Sequence, residues 1–295
     1  MDTSLLSPKP SVSSDARVLM RGIAMGESPR WHQGRLWFAD WGAQQIVAVD
    51  PAGNSEVMMD THLDLPFSID WLPDGRLLVV AGRASLVLRQ ESDGMMVTHA
   101  DLRDVSDAGW NEIVVDRHAR AYVNGGPGII AVVNADGSAR QVADNIAFPN
   151  GMAITPDGKT LIIAESHGKR LTAFDIDGDG GLSHRRVWAD LVDGFPDGIC
   201  IDADGAVWYA DVPNKRCVRV REGGEVLQTV AVDRGCFACM LGGADGKTLF
   251  IVATEWRGMA QMAAVAAERT GRILTVLAPA AAAGFPLSTR QVAPT

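Results

Sequence analysis

One pattern recurs six times along the chain: an apolar run, a turn usually closing on Asp-Gly, and a second apolar run. The copies read SPRWHQGRLWFADW, SIDWLPDGRLLVVAG, EIVVDRHARAYVNGG, GMAITPDGKTLIIAES, GICIDADGAVWYADV and CMLGGADGKTLFIVAT. Their turn residues, Gly34, Gly75, Ala119, Gly158, Gly205 and Gly246, lie 41, 44, 39, 47 and 41 residues apart. Asp-Gly supplies the positive φ of a tight hairpin, and the flanks are rich in β-branched, aromatic and leucine side chains, so each copy reads as a β-hairpin. Further strand-like runs between copies, such as QQIVAVD, SLVLRQ, IIAVVN, RLTAFDI and GRILTV, bring each period to about four strands. A unit this short buries its faces only against its neighbours, so six of them predict an all-β six-bladed β-propeller and not two domains.

The expected boundaries are a flexible tail over residues 1–14, the propeller over 15–278 and a second tail over 279–295. Helical signal is confined to Gly258–Thr270, where MAQMAAVAAER interrupts two strands of the last blade and is expected as a loop or short helix over one end. Lys and Arg number 27 against 36 Asp and Glu, a net charge of −9 that argues against nucleic acid as a partner, and a small-molecule substrate is the expected one. The longest weakly polar run, Ile273 to Leu287, is 15 residues with two prolines and a glycine, too short to span a membrane. Four cysteines are too few for a disulfide framework, and the first residues lack the pattern of an export signal, so a cytoplasmic location is predicted. Cys236-x-x-Cys239 lacks both a βαβ setting and a second ligand pair, which predicts structural thiols over a redox or zinc site.

The first strand of each blade lines the channel of a propeller, so the repeat serves as a ruler. Eight residues before each turn residue, or seven in the shorter first copy, stand Glu27, Phe67, Asn111, Asn150, Asp197 and Ala238. Four of the six carry side-chain oxygen, and such groups are costly to bury without partners. Two carboxylates and two amides form a hard oxygen set suited to one divalent metal ion on the central axis, Ca²⁺, Mg²⁺ or Mn²⁺, with Zn²⁺ less favoured. Taken singly, Phe-Pro-Asn150-Gly and Phe-Pro-Asp197-Gly read as ordinary proline turns. Their coincidence at one phase of the repeat favours the metal.

Gly26-Glu27-Ser28-Pro29, Trp110-Asn111-Glu112, Phe148-Pro149-Asn150-Gly151 and Phe195-Pro196-Asp197-Gly198, in this order and spacing, resemble the senescence marker protein, gluconolactonase and luciferin-regenerating enzyme family. The likeness runs from about Val18 to Val276 and implies a six-bladed propeller binding one divalent metal through Glu27, Asn150 and Asp197. It also implies that Asn111 belongs to the substrate and metal shell. Two positions depart from the family's Arg-x-Asn-Asp: Gly109 replaces the Arg that touches polar substrate in sugar lactonases, and Glu112 replaces the Asp. Trp41, Phe67, Trp110, Phe237, Met240 and Trp256 all neighbour repeat ends, which points to a less polar substrate.

The expected activity is therefore a metal-dependent hydrolase, a lactonase on a relatively non-sugar lactone. Asp197 or Glu112 is the expected general base, and Asn111, Trp110, Phe67, Cys239 and Glu255 the expected substrate contacts. The alternatives are phosphotriester hydrolysis on the same centre, or a non-catalytic calcium-binding propeller. Two other motifs are set aside. The Asp175–Gly180 run lacks the bidentate Glu of an EF-hand at its twelfth position, and Ala164–Gly168 lacks the helix that follows a nucleophile elbow.

Overall fold

The computed structural model describes residues 11–13 and 15–284, which form six antiparallel sheets of four strands, one of them extended by a fifth. The six inner strands are Gly26–His32, Phe67–Trp71, Trp110–Val115, Pro149–Ile154, Pro196–Ile201 and Gly235–Gly242, opening blades I to VI. Each continues through the hairpin expected from its copy of the repeat. At the third turn, where glycine is missing, Ala119 takes the left-handed conformation at φ +61.

Six clusters of buried apolar side chains fill the spaces between successive blades, among them Phe38, Val252 and Ile273 between the last blade and the first. This is the burial that the repeat demands, since a blade alone would leave both faces wet. Ring closure comes from the chain start. Arg17–Ile23 pairs antiparallel with Gly271–Leu277 as the outermost strand of blade VI, whose other strands, Gly235–Gly242 and Thr248–Thr254, come from the end of the chain.

Both expected tails take part in the fold where they are described. Ser11–Ser13 pairs in parallel with Val226–Ala231 of blade V, and Ala282 bridges to Asp202 with Ala280 buried. Residues 1–10, Ser14 and 285–295 lie outside the described residues. The 258–270 insert holds a 3₁₀ turn and a helix, Met262–Glu268, anchored by the buried Val265. No helix among the described residues is long and apolar enough to cross a membrane.

Candidate functional site

Five of the six inner strands share a departure from regular pairing. In blades III, IV and V two consecutive residues stand unpaired at the strand start: Asn111-Glu112, Asn150-Gly151 and Asp197-Gly198. Blade I shifts register between Glu27 and Arg30, and blade VI carries one extra residue, Phe237. Bulges of this kind re-aim a side chain out of the ladder. Here they turn polar side chains toward the channel. Pro-Asn-Gly and Pro-Asp-Gly, which read as turns, are thus bulge sequences whose glycines answer to packing. A Cβ on Gly151 would lie 2.5 Å from the Ile199 nitrogen, and one on Gly198 2.5 Å from the Ala238 Cβ.

Glu27 is 6% exposed and accepts one hydrogen bond, from the Ser28 nitrogen at 3.2 Å. Burial raises its pKa well above the usual carboxylate range, and the neighbouring charges of Asp197 and Glu112 push the same way. Asp197 is likewise raised well above the usual range by burial and by Glu112, while a hydrogen bond from the Asn150 side chain opposes the rise. Neither acid forms an ion pair among the described residues. Glu112 differs: its Oε1 accepts from Ser28 Oγ at 3.0 Å, Arg30 Nη2 at 3.2 Å and its neighbour Ile113 N at 2.9 Å. Three acids therefore meet at one end of the channel with one guanidinium among them, already engaged with Glu112 and 3.7 Å from Asp70. Among the described residues no three His, Cys, Asp or Glu side chains form a metal-holding group. A cation centre here must draw on amide oxygen, and Asn150, bonded to Asp197, offers it. Two carboxylates outside any ion pair, Glu27 buried and Asp197 partly buried, beside an amide fit a hard divalent cation, which supplies the charge they lack.

Residues 25–255 match the SMP-30/Gluconolactonase/LRE-like region. The chain belongs to this family. It is 26% identical to regucalcin of Xenopus laevis over 90% of this chain and 97% of that one, and 25% identical to a pentonolactonase of Haloferax volcanii over 73% and 83%. Among solved structures, a calcium-binding protein, regucalcin, from Agrobacterium tumefaciens superposes with a TM-score of 0.74 at 20% identity, covering 92% of this chain and 96% of that one, a likeness of fold.

Within this family member, Glu27, Asn111, Glu112, Asn150 and Asp197 all lie at the starts of inner strands, at the same end of the channel. The remaining expected contacts do not join them. The inner strand of blade II pairs residue for residue with its hairpin partner and has no bulge, so Phe67, 0% exposed, packs between blades I and II. Trp110, 1% exposed, sits in the core between blades II and III with Nε1 donating to the Ser106 carbonyl. Cys239, also 1% exposed, packs between blades V and VI with the other three thiols. Glu255 is at the rim, paired with Arg257 at 2.8 Å. The ruler also slips by one in blade VI, where Phe237 and not Ala238 occupies the bulge.

Other side chains form the apolar rim. Phe148, 54% exposed at φ +61, stacks on His167 at 4.4 Å one residue before the Pro149-Asn150 step. Phe237 meets Trp256 edge-on at 5.5 Å. A groove of about 580 Å³ runs between the Met262–Glu268 helix and the loops bearing Trp41, Leu65 and Arg83. A second cavity, about 340 Å³, opens at the opposite, hairpin end of the channel among Trp71, Met152 and Ile199.

Gly109, where the family carries Arg, sits at φ +90, a conformation that strains any side chain. Ser166, from the near-match to a nucleophile elbow, donates to the Pro196 carbonyl at 2.6 Å and lies 3.4 Å from the Asn150 amide, so it braces the two bulges. Glu165 is fully buried and ion-paired with Arg170 and Arg185. Asn124 lies on the second strand of blade III, outside the reach of a ruler for inner strands, and its one mark in the sequence is a polar side chain where the other copies are apolar.

Proposed function

We propose that this chain is a divalent-cation-dependent hydrolase that opens a lactone less polar than a sugar lactone. The observation that carries this reading is the pair of acids, Glu27 buried and Asp197 partly buried, both raised by desolvation and by neighbouring acids, and neither forming an ion pair among the described residues. Glu27, Asn150 and Asp197 would hold the cation. When bound, it supplies Lewis-acid polarisation of an ester carbonyl and eases ionisation of water.

The chain's own groups divide the remaining work. Asp197 is the better placed general base: burial and the Glu112 charge make its carboxylate more avid for a proton. Glu112 has an oxygen committed to three donors and acts as a fixed anion that sustains this basicity. Asn111, in the bulge beside Glu112, orients the substrate and donates to the oxyanion that forms as the ring carbonyl is attacked. Phe148, Phe237, Trp256 and Trp41 offer an apolar rim, and Gly109 presents no side chain to a polar ring. Lactonase names among the relatives support the same reaction class.

The test is a panel of aliphatic, aromatic and sugar lactones with a phosphotriester, assayed with Mn²⁺, Mg²⁺, Ca²⁺ and Zn²⁺ in turn. Turnover should require added cation and should be fastest, by at least about tenfold in kcat/KM, on an aliphatic or aromatic lactone. A faster phosphotriester would replace the reaction while leaving the centre in place, and no turnover with cation bound would leave a binding propeller.

A further inference from the structure

In every blade, one residue of the second strand directly precedes the partner of the inner-strand start. Five of these residues are small and apolar: Ala39, Val80, Ala164, Ala210 and Ala253. The sixth, in blade III, is Asn124, 0% exposed. Its Nδ2 donates to the Asn150 backbone carbonyl at 2.6 Å, crossing from blade III to blade IV, and its Oδ1 has no hydrogen-bond partner. The fold manages without an amide at this position five times over, and an unpaired buried acceptor weakens a protein where alanine or valine would not. The amide therefore does something the blade itself does not require, and the group it touches is the bulge that presents Asn150.

We propose that Asn124 is a positioning residue for the cation centre: by holding the Asn150 carbonyl from the neighbouring blade, it fixes the bulge so that the Asn150 amide meets Asp197. The inference rests on the cation reading above and adds a residue from outside the inner strands. It predicts a trade between stability and binding.

Asn124→Val places in blade III the side chain that blade II already carries. The cation-free variant should melt at the same temperature as the parent or higher, while its Kd for Ca²⁺ and Mn²⁺, by titration calorimetry, should weaken at least tenfold. In an Asn150→Ala background the same substitution should leave the residual Kd unchanged, because the group it positions is gone. If Asn124→Val does not fold, Asn124→Ala, the residue of blades I, IV, V and VI, takes its place. An unchanged Kd with a lowered melting temperature would make Asn124 a structural residue only, and an undiminished loss in the Asn150→Ala background would show that it does not act through Asn150. Either overturns the proposal. A parent protein that binds neither cation would instead defeat the cation reading, an outcome visible before any variant is made.

Discussion

Glu27 pairs with Ala39 just before the bulge of blade I and Asp197 lies within the bulge of blade V, and their surroundings differ. Glu27 takes one backbone hydrogen bond and feels both other acids, whereas Asp197 is tied to the Asn150 amide. The first is built to contribute charge, and the second to contribute charge and receive a proton. Glu27→Gln should weaken cation affinity at least tenfold, with kcat recovering to within a few fold at saturating cation. Asp197→Asn keeps an oxygen of the same size but loses the base, so kcat should fall by about 10²–10⁴ and stay low at any cation concentration. Steady-state kinetics across a cation titration separates the two. Recovery of Asp197→Asn together with a lasting defect in Glu112→Gln would transfer the base to Glu112.

At the scale of strands and sheets, the repeat made most of the architecture legible. Asp-Gly turns and alternating apolar flanks are local chemistry, so six hairpins and their order could be read directly. Bulges are not local. Whether an inner strand carries an extra residue depends on pairing with its hairpin partner, and a ruler that counts back from the turn passes over the difference. Hence the ruler points to Phe67 and Ala238, where blade II has no extra residue and blade VI presents Phe237, whereas Glu27, Asn111, Asn150 and Asp197 do lie at the strand starts. Aromatic residues near repeat ends carried no such ruler, and Trp110 and Phe67 went into the core because apolar area is worth more there than at a wet rim.

The closing strand was also hidden, since Arg17–Ile23 pairs with Gly271–Leu277 across almost the whole chain. Ile23 is buried against Phe38, Val252 and Ile273 and so seals the joint between last and first blades. Ile23→Ala should cost about 2–5 kcal/mol, seen as a lowered denaturation midpoint, while the partly exposed Val18→Ala on the same strand should change stability little. Equal effects of the two would mean that closure does not depend on this packing.

For the molecule as a whole, a ring of six blades brings together side chains from distant parts of the sequence, and at one end of its channel the result is a cluster of acids with a single guanidinium among them. Because Glu27 and Asp197 hold their protons to higher pH than ordinary carboxyls, the cation-free fold loses stability as pH rises through and above the usual carboxylate range, where the unfolded chain has already ionised. A cation that displaces those protons reverses the trend. The most direct measurement is calorimetric titration of the chelator-treated protein with Ca²⁺ and Mn²⁺ at pH 6 and pH 8, each in two buffers of different ionisation enthalpy. One cation should bind per chain, more tightly at pH 8, with release of protons at pH 6. No binding, or binding with the same affinity at both pH values and no proton release, would contradict a centre built on these two acids.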